Sequence, residues 1–148
     1  MRVLLDTNVL VRATGASSSP ARAVLLQLLD PPHAIVASDF LLDELRRVLE
    51  YPRVRQMHGL TADEVEQFVR NLAANAEVVE VSSPLPVQVQ HDPDDDPIVA
   101  TAVFGRADVL CTLDRHLRRQ EVLTACAQFG IRVLTDLELL AELRAGES

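Results

Sequence analysis

A chain of 148 residues is long enough for one domain with a real core, and an apolar content of 48% excludes a disordered tail. Only 3% of it is aromatic and Trp is absent, so that core is aliphatic. Its 22 acids against 14 bases leave a net charge of −8, which excludes a general basic nucleic-acid binder but not an enzyme that gathers carboxylates around a cation.

Met1-Arg2 leads into Val3-Leu4-Leu5 and reaches an acid at Asp6, too short an apolar run for a secretion signal. No run approaches the roughly 20 apolar residues that cross a bilayer. A cytoplasmic protein with no membrane contact is expected. Cys111 and Cys126 lack C-x-x-C spacing and read as inert buried thiols in a reducing compartment.

The elements alternate. Arg2–Leu5 reads as a buried strand. Asp6-Thr7-Asn8 offers cap chemistry for a short helix through Arg12. Gly15 to Pro20 is a loop, and Pro20 suits the first turn of a helix over Ala21–Leu29, which Asp30-Pro31-Pro32 ends. Ala34–Ala37 is the second strand. Ser38 or Asp39 caps a helix to about Glu50, broken by Tyr51-Pro52. Val54–His58 and Thr61–Ala74 read as helices, the latter opened by Thr61-Ala62-Asp63-Glu64. Glu77–Val81 is the third strand and Ser82–Pro93 an extended linker with three prolines. Asp94-Asp95-Asp96-Pro97 opens a helix through Phe104. Asp108–Thr112 is the fourth strand, closed by Leu113-Asp114. A helix from Leu117, with a break near Gln120 as the alternative, runs to Phe129 and stops at Gly130. Ile131–Leu134 is the fifth strand and Asp136–Leu143 the last helix. Strands separated by helices imply one α/β domain over residues 1–148: a three-layer α/β/α sandwich with a mostly parallel five-stranded sheet.

Ligands of such sheets sit at the carboxyl ends of strands. Asp6 directly follows the first strand, and Asp114 lies two residues past Thr112 on the fourth. Asp92, Asp94, Asp95 and Asp96 cluster where a helix begins. Each acid alone is explained by capping or by the helix dipole. Four acids this close exceed what capping needs; they repel unless a cation sits among them, and a hard divalent cation is the natural partner. On the helix from Ser38 the apolar stripe is Leu41, Leu42, Leu45, Val48 and Leu49. Glu44 lies at its margin, beside Leu41 and Val48, while Asp43, Arg47 and Glu50 point further towards solvent.

These residues carry a resemblance to PIN-domain nucleases, in particular the bacterial toxin-like proteins. Val3-Leu4-Leu5-Asp6-Thr7-Asn8-Val9-Leu10 resembles the family's opening run. Ser38 to Leu49, with Asp43-Glu44-Leu45, resembles its second motif. Asp92 to Ile98 with Ala102 resembles its third, and Ala107 to Asp114 with His116-Leu117 its fourth. Gly130 to Thr135 resembles its closing strand. Leu113 stands where many members have Gly. The resemblance implies Asp6, Glu44, Asp95 and Asp114 as catalytic metal acids, with Asp96 and Asp92 as further contributors. Helix phase from Ile98 and Ala102 favours Asp95 over Asp96. It implies Mg²⁺ or Mn²⁺, one or two ions, and hydrolysis of RNA phosphodiesters. Thr7, Asn8 and Thr112 are expected to support the carboxylates, with the Thr7 and Thr112 hydroxyls tying them down. Arg12, Arg46, Arg47, Arg115, Arg118 and Arg119 are candidates for phosphate contacts, Arg12, Arg46 and Arg115 first among them. An antitoxin protein is the implied partner and a homodimer the implied assembly, with the helices around Leu25–Leu29 and Val65–Leu72 as contact surface or core.

Three other readings compete. A phosphatase of the haloacid dehalogenase type wants a second acid two residues after the first, where this chain has Asn8. A dinucleotide-binding domain wants G-x-G-x-x-G after the first strand, which is missing. The serious rival is a catalytically silent PIN-like RNA-binding or interaction module, against which the presence of all four acids argues.

Overall fold

The computed structural model describes residues 1–15, 18–81 and 96–146. In chain order the elements are β1 (Arg2–Leu5), α1 (Thr7–Ala13), α2 (Pro20–Leu28), β2 (Ala34–Ala37), α3 (Asp39–Leu49), α4 (Pro52–His58) and α5 (Ala62–Asn75). They continue with β3 (Ala76–Val78), α6 (Asp96–Phe104), β4 (Val109–Cys111), α7 (Gln120–Ala127), β5 (Arg132–Leu134) and α8 (Asp136–Gly146). The Ser82–Pro93 linker and the acids Asp92, Asp94 and Asp95 lie outside the described residues.

Five strands form one sheet in the order β3-β2-β1-β4-β5, and every pairing is parallel. β1 is central: Val3 pairs with Ile35 on one side and Val109 on the other, and Leu5 pairs with Cys111. A central parallel strand is covered on both faces, so Val3, Leu4 and Leu5 are all buried. The chain steps outward from β1 through β2 to β3, then returns to β4 and β5 on the far side. Right-handed crossovers put the helices of these two excursions on opposite faces, which gives the three-layer α/β/α sandwich. α6 packs against β1, β2 and β4. Its Ile98, Val99, Ala100, Thr101 and Ala102 are all buried, as suits a helix apolar nearly all round.

Local signals set the element ends. Ser19, Ser38 and Thr61 each accept a backbone N–H from the first turn of α2, α3 and α5, and Glu64 completes a capping box with Thr61. Pro52 sits at the first turn of α4 rather than merely breaking α3, so that helix starts earlier than its apolar residues suggest. α5 runs directly into β3, which begins at Ala76 and is done by Val78; the expected strand over Glu77–Val81 is shifted towards the N-terminus. The helix gains only Asn75 beyond its expected end, the strand follows it without a connecting loop, and past Val78 the Val79 N–H still reaches the sheet, at Ala37 O. Leu117 lies in a turn before α7, which begins at Gln120, and α8 continues to Gly146.

The amino edge of the sheet is stitched by Arg2. Its guanidinium donates twice to Gly105 O, at 3.0 and 2.7 Å, and once to Glu77 Oε2 at 2.7 Å, while its backbone N–H donates to Asp108 Oδ2. On the helical face, Val65, Val69 and Leu72 of α5 and Leu25 of α2 belong to the core. Leu26 and Leu29 remain exposed and, with Phe68, line an apolar groove of about 440 Å³. Those two helices thus divide between core and open surface.

Gly105 closes α6 where it crosses β2. A Cβ there would overlap Val36 Cγ1 and come within 2.9 Å of the Thr101 carbonyl. Both are parts of rigid elements, so Gly105→Ala is expected to cost about 1–3 kcal/mol of stability, read as a lower urea midpoint with an unchanged m-value.

Candidate active site

Strand order reverses between β1 and β4, and the loops leaving these two strands part to opposite faces. A crevice at the carboxyl edge follows from that topology. Asp6 stands in it, one residue beyond β1. Its N–H donates to Cys111 O at 2.9 Å and so carries the β1–β4 ladder one step further. Its side chain caps α1, with Oδ1 accepting the Thr7 N–H at 2.8 Å. Oδ2 accepts the Thr112 hydroxyl at 2.7 Å and the Asn8 amide at 3.3 Å.

The same residues hold the β4 loop. Asn8 Oδ1 accepts the Leu113 N–H, Thr112 Oγ1 accepts the Asp114 N–H, and Asp114 Oδ1 accepts the His116 N–H. Thr112, fully buried, therefore spans the two acids: it donates to Asp6 and accepts from the backbone of Asp114. The Thr7 hydroxyl does not share this task. It is buried without a hydrogen-bond partner among the described residues, and Thr7 serves Asp6 through its backbone instead, because its side chain belongs to the first turn of α1.

Asp6, Glu44 and Asp114 line one cleft of about 670 Å³. Glu44 reaches it from α3, half-buried at the margin of a stripe in which Leu41, Leu42, Leu45 and Leu49 are buried. α3 and α6 are tied together beneath it: the Ser38 and Thr101 hydroxyls share a hydrogen bond at 3.0 Å. Ile98 of α6 also lines the cleft, so the helix that Asp96 opens enters there. Asp92 and Asp95 fall outside the described residues. Of the arginines expected to contact phosphate, Arg12 and Arg47 line the cleft. Arg46 is turned to α5, with Nε 3.1 Å from Glu66 Oε2 and Nη1 3.2 Å from Asp43 Oδ1. Arg115 is exposed and does not line the cleft. The apolar wall of Phe40, Val48 and Met57 was not singled out from sequence. Nor was Asp136, a buried acid just after β5, although it follows its strand much as Asp6 follows β1.

Burial raises the Asp6 carboxyl above the usual Asp range; the donors Thr112, Thr7 and Asn8 oppose that rise and the Asp114 charge adds to it. Burial, with Asp136 and Asp6 close by, pushes the Cys111 thiol up to about 12, and burial pushes Cys126 up to about 11. Neither is a nucleophile at neutral pH. Among the described residues the cleft has no Cys or His in its lining. Its donors are carboxylate and hydroxyl oxygens, the set that Mg²⁺ or Mn²⁺ prefers. A carboxylate desolvated next to a second acid is also the kind of group a cation compensates. The residues present therefore fit such an ion, although no three His, Cys, Asp or Glu among the described residues sit close enough together to hold one.

The geometry defines a doubly wound α/β protein with an acidic cleft at its switch point. A family model described as PIN domain matches residues 2–116, and the chain belongs to the PIN domain family, whose members are generally nucleases. Among solved structures it is similar to a chain of VapBC2 from Rickettsia felis, solved bound to a DNA fragment from their promoter. The TM-score is 0.62 at 15% identity, over 91% of this chain and 98% of that one. No curated protein matches it in sequence.

The Asp6 shift fixes the sign of a pH effect. The folded protein holds this proton more tightly than the unfolded chain, so ionising Asp6 costs folding stability. The cost is absent below the unfolded pKa and develops as pH rises through the folded one. Asp6→Asn is therefore expected to raise Tm at neutral pH in the absence of divalent ions, with the gain vanishing below about pH 4. A lower Tm at neutral pH contradicts this account.

Proposed function

We propose that this protein is a divalent-metal-dependent endoribonuclease, the toxin component of a toxin–antitoxin pair. The observation that carries the reading is the meeting of Asp6, Glu44 and Asp114, from three separate elements, on one cleft at the sheet's switch point. Asp6, Glu44 and Asp114 would hold Mg²⁺ or Mn²⁺ together with Asp95, with Asp96 and Asp92 as further contributors. When bound, such an ion would offset the charge of the scissile phosphate and make water more acidic, and so a readier nucleophile.

The chain's own residues do the rest. Thr112 and Asn8 fix the Asp6 carboxylate in one orientation, and the Thr7 N–H holds its other oxygen. The loop N–H of His116 orients Asp114. Arg12 and Arg47 bring positive charge to a cleft whose other charged residues are acids, where an RNA phosphate needs it. The PIN family match and the fold shared with VapBC2 support the toxin reading and a cognate antitoxin as partner.

The test is cleavage of labelled single-stranded RNA by the purified protein in Mg²⁺ or Mn²⁺, with single-stranded DNA alongside. Cleavage that stops in EDTA and falls more than about 100-fold in Asp6→Asn is expected, a loss beyond the usual effect of a supporting residue. Full activity in Asp6→Asn overturns the assignment. Thr112→Val, which removes only the supporting hydroxyl, is expected to cost about 10–100-fold in activity or ion affinity. Calorimetric titration with Mn²⁺ separates the rival, since a silent RNA-binding module takes up RNA without taking up the ion.

A further inference from the structure

Asp136 is 2% exposed, yet its carboxylate is only half satisfied. Oδ1 accepts the Leu137 N–H at 2.9 Å, while Oδ2 is buried with no hydrogen-bond partner among the described residues. Helix capping does not explain it. α8 already has a reciprocal cap, in which Thr135 N–H donates to Glu138 Oε1 and Glu138 N–H donates to Thr135 Oγ1. A buried carboxylate without compensation is strongly disfavoured. Its ion pair is with Arg12, whose Nε lies 3.9 Å from Oδ2.

Arg12 is the other half of the observation. It stands in the last turn of α1 with its side chain 48% exposed. It lines the acidic cleft and also an adjoining hollow of about 490 Å³ with Gly15, Ser19 and His58. Val11 and Met57 are common to both spaces, so Arg12 marks their junction. A guanidinium engaged through Nε keeps its Nη atoms for a second anion, in the paired geometry that a phosphate accepts.

We propose that Asp136 is a positioning residue that anchors Arg12 through Nε, so that its Nη edge binds a backbone phosphate of single-stranded RNA beside the scissile one, where the strand passes from the acidic cleft into the adjoining hollow. The inference rests on the nuclease reading for the identity of the polyanion. In a chain of net charge −8, affinity for a phosphate backbone needs such a placed cation, since no general positive field draws the strand in.

The test is a double-mutant cycle of Arg12→Ala and Asp136→Asn on the full chain. KM and kcat are read on labelled single-stranded RNA in Mn²⁺, affinity on the same RNA in Ca²⁺ across a salt series, and folding by thermal melting. Each single variant is expected to weaken RNA affinity about 10-fold, with the loss falling on KM more than on kcat. Asp136→Asn added to Arg12→Ala is expected to change affinity less than about two-fold further, because one anchors the other. The slope of log K against log[salt] is expected to fall by about one in Arg12→Ala, and by part of that in Asp136→Asn, a readout that loss of packing alone does not move. Arg12→Lys is expected to recover the salt slope but not the full affinity. Independent, additive effects, or unchanged affinity in Asp136→Asn, overturn the inference while leaving the nuclease reading intact. Failure of the unaltered protein to bind or cleave RNA overturns both.

Discussion

The pairing of β1 with β4 is the constraint on which the rest of the structure depends. These are the strands between which the chain reverses its path, and their ladder continues one step past the last regular residue through Asp6 N–H and Cys111 O. That step places Asp6 opposite Thr112, and the short bond between their side chains locks the loops of both strands into one body. Topology alone opens the crevice. The hydroxyl of Thr112 and the amide of Asn8 convert it into a defined surface, because each has one end on Asp6 and the other on the backbone of the β4 loop.

The cost of this arrangement is electrostatic. Asp6 is buried where its charged form is disfavoured, and Asp114 worsens the problem. A protein selected for stability alone would place an apolar group here, as it does at the residues just below on β1 and β4. Asp6 and Asp114 are held in position by neutral donors, and Arg12 and Arg47 reach the cleft from α1 and from α3, the helix that also carries Glu44. The cleft thus presents charge of both signs, an arrangement suited to an occupant carrying both cation and anion.

Much of the fold was legible in the sequence, for definite reasons. Short aliphatic runs such as Val3-Leu4-Leu5 and Ala34–Ala37 are too brief for helices and too apolar for loops, and Ser19, Ser38 and Thr61 mark helix starts by chemistry as well as by pattern. The errors lie at boundaries where no residue type punctuates. α5 passes into β3 without Gly or Pro, and the edge strand was displaced. For the site, position after a strand singled out Asp6 and Asp114, and helix phase singled out Glu44; the structure brings these three to one cleft. What local pattern cannot express is which of several surface arginines a neighbour has already claimed. Arg46 is claimed by Glu66, twenty residues away, and Arg12 is drawn in by Asp136 from the far end of the chain. The Thr7 hydroxyl misled for a related reason, since residue type does not say whether the backbone or the side chain makes the bond.

The burial of both thiols has a consequence for how the molecule meets oxidants. Peroxide attacks thiolates, and neither Cys111 nor Cys126 offers one near neutral pH. The sulfur presented at the cleft is instead the thioether of Met57, 67% exposed on its apolar wall. Conversion to the sulfoxide makes that wall polar while leaving the carboxylates untouched, so oxidative damage here is a change in surface wetting that methionine sulfoxide reductases reverse.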